Sequence, residues 1–251
     1  LNPNFDEYDL IVFDSYKKED YEKISSLKNL KIGIDDQEIR DFKDWDLVIN
    51  CRLKSNYKKY ESKKSICGVK YFPFDNKYLS LRKQNIPSRD TKNLFFYFGE
   101  TVNVELDKKI TKLLKRYEKK YNFFIYAKDR GLDNTFELIN SSNFFDYFSM
   151  ADVIIHGGGL TKYEACYIKK FNLSFSINEL QKKDTEYLSS LGLSIDMGYY
   201  KNIYKTIGKT LDYIENIDIK ELQSFEKASA KYFYNNSLKN ISKEITKIII
   251  K

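Results

Sequence analysis

One stretch limits the possible folds more than any other. From Met150 to Ala165 the chain reads as a strand, a three-glycine loop and a helix in immediate succession. Val153, Ile154 and Ile155 are β-branched without interruption, the pattern of a strand covered on both faces and therefore of a parallel sheet. Gly157, Gly158 and Gly159 allow a sharp turn and let bare backbone N–H groups approach a ligand. Thr161 begins the following helix, whose positive end attracts anions. A phosphate or diphosphate is the guest such a loop accepts. A tight strand-to-helix turn with nothing bound explains the same residues as well, because a lone glycine-rich loop is a weak signal.

The rest of the chain repeats the alternation. Leu10–Phe13, Lys31–Ile34 and Leu47–Asn50 read as short buried strands, with a helix over residues 18–27. Asp14, Tyr16, Asp35 and Asp36 follow the first two strands, at the ends where parallel sheets bind ligands; capping the next helix explains Asp35 and Asp36 equally well. Residues 52–91 are irregular, and a boundary around 84–92 divides the chain into 1–87 and 88–251. The pattern then restarts with a strand over 94–98, an amphipathic helix over 106–121 and a strand over 123–126. A short helix over 144–148 follows, its aromatics read as core. After the glycine loop come a strand over 173–177, a helix over 182–191, a strand over 194–198, and two closing helices, 203–214 and 219–248.

Composition narrows the function classes. The net charge of +7 comes from lysines dispersed among acids, not clustered, which suits an anionic small molecule better than nucleic acid. Cys51, Cys67 and Cys166 are far apart and there is one His, so neither a zinc site nor a disulfide framework is expected, and no metal or cofactor. No apolar run approaches the ~20 residues that span a membrane. No secretory signal is visible, and a cytoplasmic monomer is expected.

The order of motifs resembles the UDP-sugar hydrolases of pseudaminic acid biosynthesis (PseG/SpsG-like). Asp9–Tyr16 is similar to that family's "DLLIVDHYG", and Ile34-Asp35-Asp36 to its "IDD". Gly68–Phe74 resembles "GxxYxxL", and Phe98-Gly99-Glu100 falls where the family has "FGG". Ala151–Glu164 resembles "ADLAIGAGGSTxxE", and Gln181 with Leu188 and Gly192 resembles "NQxxxAxxLAxxG". The resemblance runs from about residue 8 to 198. It implies an α/β fold of two Rossmann-like domains of the glycosyltransferase GT-B type, the N-terminal one lacking its first strands. It further implies a UDP-sugar held by the second domain without metal. Gly99, Gly158 and Gly159 would offer N–H groups to the diphosphate and Thr161 a hydroxyl. Glu164 would accept from the ribose hydroxyls, and Gln181 would face the cleft. Tyr16 would face the sugar and is the one catalytic candidate.

Departures from the family pattern leave the activity open. The family's histidine loop, "GxGHxxR", has no counterpart, and the chain opens on Leu1, so either a piece of a longer enzyme or a diverged relative is expected. His156 occupies a glycine position of the loop and is read as incidental to the chemistry. Ser15, Glu100, Leu180 and Asp75 replace a His, a Gly, an Asn and an Arg. Three readings follow: a nucleotide-sugar hydrolase, a GT-B glycosyltransferase in which an acceptor hydroxyl replaces water, and a UDP-sugar-binding relative without catalysis.

Overall fold

The computed structural model describes residues 4–55, 57–82, 92–99, 104–126, 136–233 and 236–250; Glu100 lies outside them. The chain falls into two compact units, residues 1–74 with 234–251, and residues 75–233. The first opens with β1 (Leu10–Phe13), α1 (Lys18–Ser25), β2 (Leu30–Ile34), β3 (Leu47–Asn50) and β4 (Ser65–Cys67). The second begins with α2 (Asn76–Leu81), β5 (Lys92–Tyr97), α3 (Val104–Leu114), β6 (Tyr121–Tyr126), β7 (Glu137–Ile139) and α4 (Phe144–Met150). It continues through β8 (Val153–His156), α5 (Thr161–Tyr167), β9 (Phe171–Ser176), α6 (Glu179–Ser190) and β10 (Ile195–Tyr199). It closes with α7 (Ile203–Asn216) and α8 (Ile219–Tyr232). The last helix, α9 (Ser237–Ile249), returns to the first unit.

The first sheet runs β1-β2-β3-β4, all parallel. One core cluster gathers Ile11, Phe13, Phe42, Trp45 and Tyr60; Phe13 and Phe42 meet the indole edge-on at 5.6 and 5.0 Å. Phe42 lies directly on Gly33, where a Cβ would come within 2.3 Å of the ring. The other cluster, Ile32, Leu47, Ile49 and Ile66, is covered by Ile241, Ile245 and Ile248 of α9. The spacing of those three isoleucines puts them on one face of the helix. Lys64 pairs with Glu244, and Asn240 donates to the Lys70 carbonyl at 2.9 Å.

The second sheet runs β10-β9-β8-β5-β6-β7, again all parallel. Counted within the unit this is the order 6-5-4-1-2-3, the doubly wound Rossmann arrangement. β8 and β9 are buried at every position, as strands of a sheet covered on both sides should be, although β9 alternates apolar residues with Asn172, Ser174 and Ser176. The chain leaves β5 toward β6 and β7, then crosses back to lay β8 on the opposite side of β5. That reversal opens a crevice beyond the carboxyl ends of β5 and β8, and the glycine loop sits there.

Several boundaries differ from the sequence pattern. The helix expected over 106–121 stops at Leu114 and tightens into a 3₁₀ turn, so that Tyr121 can start β6. The helix expected over 219–248 is two helices: Asn236 accepts from the Lys239 N–H at 3.1 Å and starts α9 afresh. The short strands β4 and β7 carry too little pattern to be read. No helix among the described residues is long and apolar enough to cross a membrane.

Candidate functional site

A cleft of about 560 Å³ lies at this crevice, and residues of the second unit alone line it. Its floor is the ends of two strands. Gly99 follows β5 with φ of +87° and open space around it; only glycine takes that turn without strain. Gly157 follows β8 and is fixed by crowding: a Cβ would meet Ile177 Cδ1 at 2.8 Å and the Phe98 carbonyl at 3.1 Å. Gly159, Leu160 and Thr161 complete the loop, and among the described residues nothing accepts from their backbone N–H groups. Three consecutive unspent N–H groups beside a cleft form an anion-binding concavity.

Gly158 stands behind that surface. It has φ of +75°, and a Cβ would come within 3.1 Å of both the Ser174 and Thr185 hydroxyl oxygens. Its N–H donates to His156 Nδ1 at 3.1 Å, and its carbonyl accepts from Lys162 Nζ at 2.7 Å. Gly158 therefore offers no N–H to the cleft; it shapes the loop. Lys162 is buried and pairs with buried Asp184 at 2.7 Å, where the Tyr163 hydroxyl also donates at 3.0 Å. His156 is fully buried, which drives its pKa down to about 4, so the imidazole is neutral near pH 7.

Glu164 lies one turn into α5 on the cleft wall. Burial raises its pKa above the ordinary carboxylate value; hydrogen bonding from Tyr78 and Thr161 works against that rise, and the charge of Asp75 adds to it. Gln181 accepts the Ile177 N–H through Oε1 at 2.9 Å, which leaves its amide nitrogen as a donor on the side of Gly159. The opposite wall is aromatic: Tyr97 meets Tyr126 and Phe144 edge-on, each at 5.0 Å. Tyr78 closes the Glu164 end, its ring packed edge-on against Phe145 and Phe148 at 5.4 and 5.8 Å.

The cleft thus gathers Gly99, Gly159, Thr161, Glu164 and Gln181 of the sequence-predicted residues, with Gly158 just behind. The sequence pattern missed Tyr78, Tyr97, Tyr126, Phe144 and Lys162. A signal existed for two of these: Tyr97 and Tyr126 are the last residues of β5 and β6, at the ligand-binding end of the sheet. Of the helix-144 aromatics, Phe148 is core, whereas half-buried Phe144 also lines the cleft. Asp152 sits at the other end of β8, where its carboxylate accepts the Asn93 N–H at 2.7 Å; its task is to fasten β8 to β5.

Tyr16 belongs to the first unit. Its hydroxyl donates to Asp36 at 2.9 Å, and partial burial with that carboxylate holds its pKa up at about 12. It is a donor near neutral pH, not a base. Asp14, raised by partial burial and by Asp36, stands beside them. Asp35 is buried and accepts from the N–H groups of Gln37 and Glu38 and from the Tyr60 hydroxyl, so it serves the turn. Among the described residues no group of His, Cys, Asp and Glu is placed to hold a metal ion.

No family model matches the chain, and no curated protein matches its sequence significantly. Solved structures do match its fold. Arabidopsis thaliana UGT89C1 aligns with a TM-score of 0.64 at 10% identity, over 98% of this chain and 73% of that one. Acinetobacter baumannii MurG aligns at 0.60 and 13%, over 88% and 67%. The Streptomyces sp. SF2575 glycosyltransferase SsfS6, complexed with thymidine diphosphate, aligns at 0.55 and 14%, over 89% and 65%. The chain spans about two thirds of the length of the last two. Identities this low speak for architecture alone: two Rossmann-like parallel sheets with helices, the GT-B fold of glycosyltransferases.

Proposed function

We propose that this chain binds a nucleoside-diphosphate sugar, with UDP as the first nucleotide to test, in the cleft of its second unit, and that it serves glycosyl transfer of the GT-B type. The observation that carries this reading is the run of unspent N–H groups at Gly159, Leu160 and Thr161, one helical turn from the acceptor-only carboxylate of Glu164. The diphosphate would lie against the N–H groups. The ribose hydroxyls would donate to Glu164, and the base would lie against the aromatic wall of Tyr97, Tyr126 and Phe144.

Transfer replaces the bond between the anomeric carbon and the diphosphate oxygen by one to an acceptor oxygen. The acceptor gives up its proton to a base, and charge grows on the departing diphosphate. Fixed N–H donors stabilise that charge without reorganising. Tyr16, in the first unit, is held protonated by partial burial and by Asp36 and is therefore a hydrogen-bond donor, not a base, near neutral pH. Water as acceptor, the hydrolase reading, is favoured by the six ordered segments from Asp9 to Gly192. The glycosyltransferase-type fold favours a hydroxyl acceptor instead.

Titration calorimetry of the whole chain with UDP tests the binding step. Micromolar to high-micromolar affinity is expected, and absence of heat at millimolar UDP would end the proposal. Release of UDP from a UDP-2,4-diacetamido sugar, with and without added sugar acceptors, separates transfer from hydrolysis.

A further inference from the structure

The sole histidine of the chain and the lysine after Thr161 grip opposite sides of one residue. Asn172 donates through Nδ2 to the carbonyls of Leu193 at 3.1 Å and Lys170 at 3.3 Å, so its Oδ1 faces His156 Nε2, 3.0 Å away. That oxygen can only accept, which places the imidazole proton on Nε2 and leaves the Nδ1 lone pair for the Gly158 N–H. On the other side the Gly158 carbonyl is held by Lys162, itself anchored on Asp184 of α6. Both peptide groups of Gly158 are fixed from within the protein, by side chains on β8, β9, α5 and α6. The next three N–H groups inherit their direction from that fixed residue.

We propose that His156 and Lys162 are positioning residues for anion binding: they hold Gly158 so that Gly159, Leu160 and Thr161 present their N–H groups to a bound diphosphate, and neither side chain touches the ligand. The inference rests on the reading of the cleft given above and adds what sets the loop's geometry. It assigns a task to a histidine that would otherwise pass for a phosphate ligand or for an incidental loop residue. A neutral imidazole suits this work, because protonation at Nδ1 would remove the acceptor for Gly158.

The test uses the whole chain, with UDP as probe, in three forms: wild type, His156→Asn and His156→Phe. An asparagine places an acceptor near the Nδ1 position; a phenylalanine fills the space without one. Expected are a dissociation constant within about threefold of wild type for His156→Asn and at least tenfold weaker for His156→Phe, that is about 1.4 kcal/mol. One imidazole per chain makes ¹⁵N spectra unambiguous. The ring should remain the neutral Nε2–H tautomer before and after UDP is added to the wild type, a readout that needs no variant to fold. If UDP binds but His156→Phe binds it as tightly as wild type, or the imidazole becomes charged on binding, the positioning role is overturned while the cleft reading stands. If the wild type itself ignores UDP, both fall.

Discussion

The two sheets of this chain are both parallel and both end in loops, yet they dispose of polar groups in opposite ways at those ends. After β2 the first sheet places carboxylates, and their acceptor capacity goes to local donors: Asp35 serves two N–H groups and Tyr60, Asp36 serves Tyr16. After β5 and β8 the second places glycines, and two neighbouring side chains are spent on the loop's rear: His156 and Lys162 on Gly158. The front N–H groups are left over. The carboxyl end of a parallel sheet is only a place where a ligand can sit; what sits there depends on which donors and acceptors the fold has not already used. By that criterion the second unit is the half we propose to bind an anion.

The sharpest way to break this contrast is to remove a buried charge from behind the loop. Lys162→Met leaves the buried Asp184 carboxylate without its cation and should destabilise the fold by about 3–5 kcal/mol. Lys64→Met, in the first unit, removes a more exposed partner of Glu244 and should cost about 1 kcal/mol or less. Chemical denaturation of both variants compares them directly. Equal losses would show that the Lys162–Asp184 pair holds nothing that a surface pair does not.

Next in size is the effect on nucleotide affinity. Glu164→Gln removes a charged acceptor, a loss of about 1.5–3 kcal/mol, or roughly tenfold to a hundredfold in dissociation constant. Asp36→Asn should leave that constant unchanged. The wild type should also lose affinity as pH falls. Burial raises the Glu164 pKa, so the folded protein takes up this proton above the ordinary carboxylate range, and the ribose then loses its anionic acceptor. The same sign means that the ionised residue detracts from stability near neutral pH, a penalty relieved on acidification. A UDP-sugar is the right probe, because its diphosphate keeps constant charge over pH 5–8. Affinity that is flat for Glu164→Gln and falls with acid in the wild type is the expected pair of curves.

Glycines give a smaller separation. Gly33→Ala forces a methyl group onto the fully buried Phe42 ring and should cost about 1–3 kcal/mol of stability, with no change in nucleotide affinity once folded. Gly157→Ala pushes on Ile177 and the Phe98 carbonyl at the cleft floor, and should lower affinity along with stability. A Gly33→Ala protein with wild-type melting would show that the Phe42 contact yields easily.

Much of this was legible in residues 150–165. An unbroken β-branched run and three glycines mark the strand and the loop by local chemistry, and Thr161 marks the helix start; Glu164 stands out only through the family resemblance. What stayed hidden depends on partners distant in sequence. Nothing near His156 says that Asn172 will set its tautomer, and nothing near Lys162 announces Asp184; both pairings exist only once β9 and α6 have packed beside the loop. The break between α8 and α9 is a different case. Its signal was present in Asn236-Ser237, a helix-start pair inside an otherwise helical pattern, and was outweighed by the amphipathic run on either side.

The smallest effect expected lies where α9 meets the first sheet, and its sign is opposite to that of Glu164. Lys64 and Lys247 hydrogen-bond Glu244 and hold its pKa down at about 2. A depressed carboxylate contributes stability that is fully present above its ordinary value of 4.5 and is lost as pH falls toward about 2. Both lysines remain well exposed, at 38% and 50%, so water and salt screen the attraction, and it should amount to no more than about 1 kcal/mol. The helix is held chiefly by Ile241, Ile245 and Ile248 on the apolar face of the sheet. Glu244→Gln should therefore lower stability slightly at pH 7 in low salt, by less in half-molar salt, and by a small remainder near pH 2. A loss of several kcal/mol, or one indifferent to salt, would mean that this ion pair behaves like the buried Lys162–Asp184 pair, and the two units would then anchor their polar groups in the same way after all.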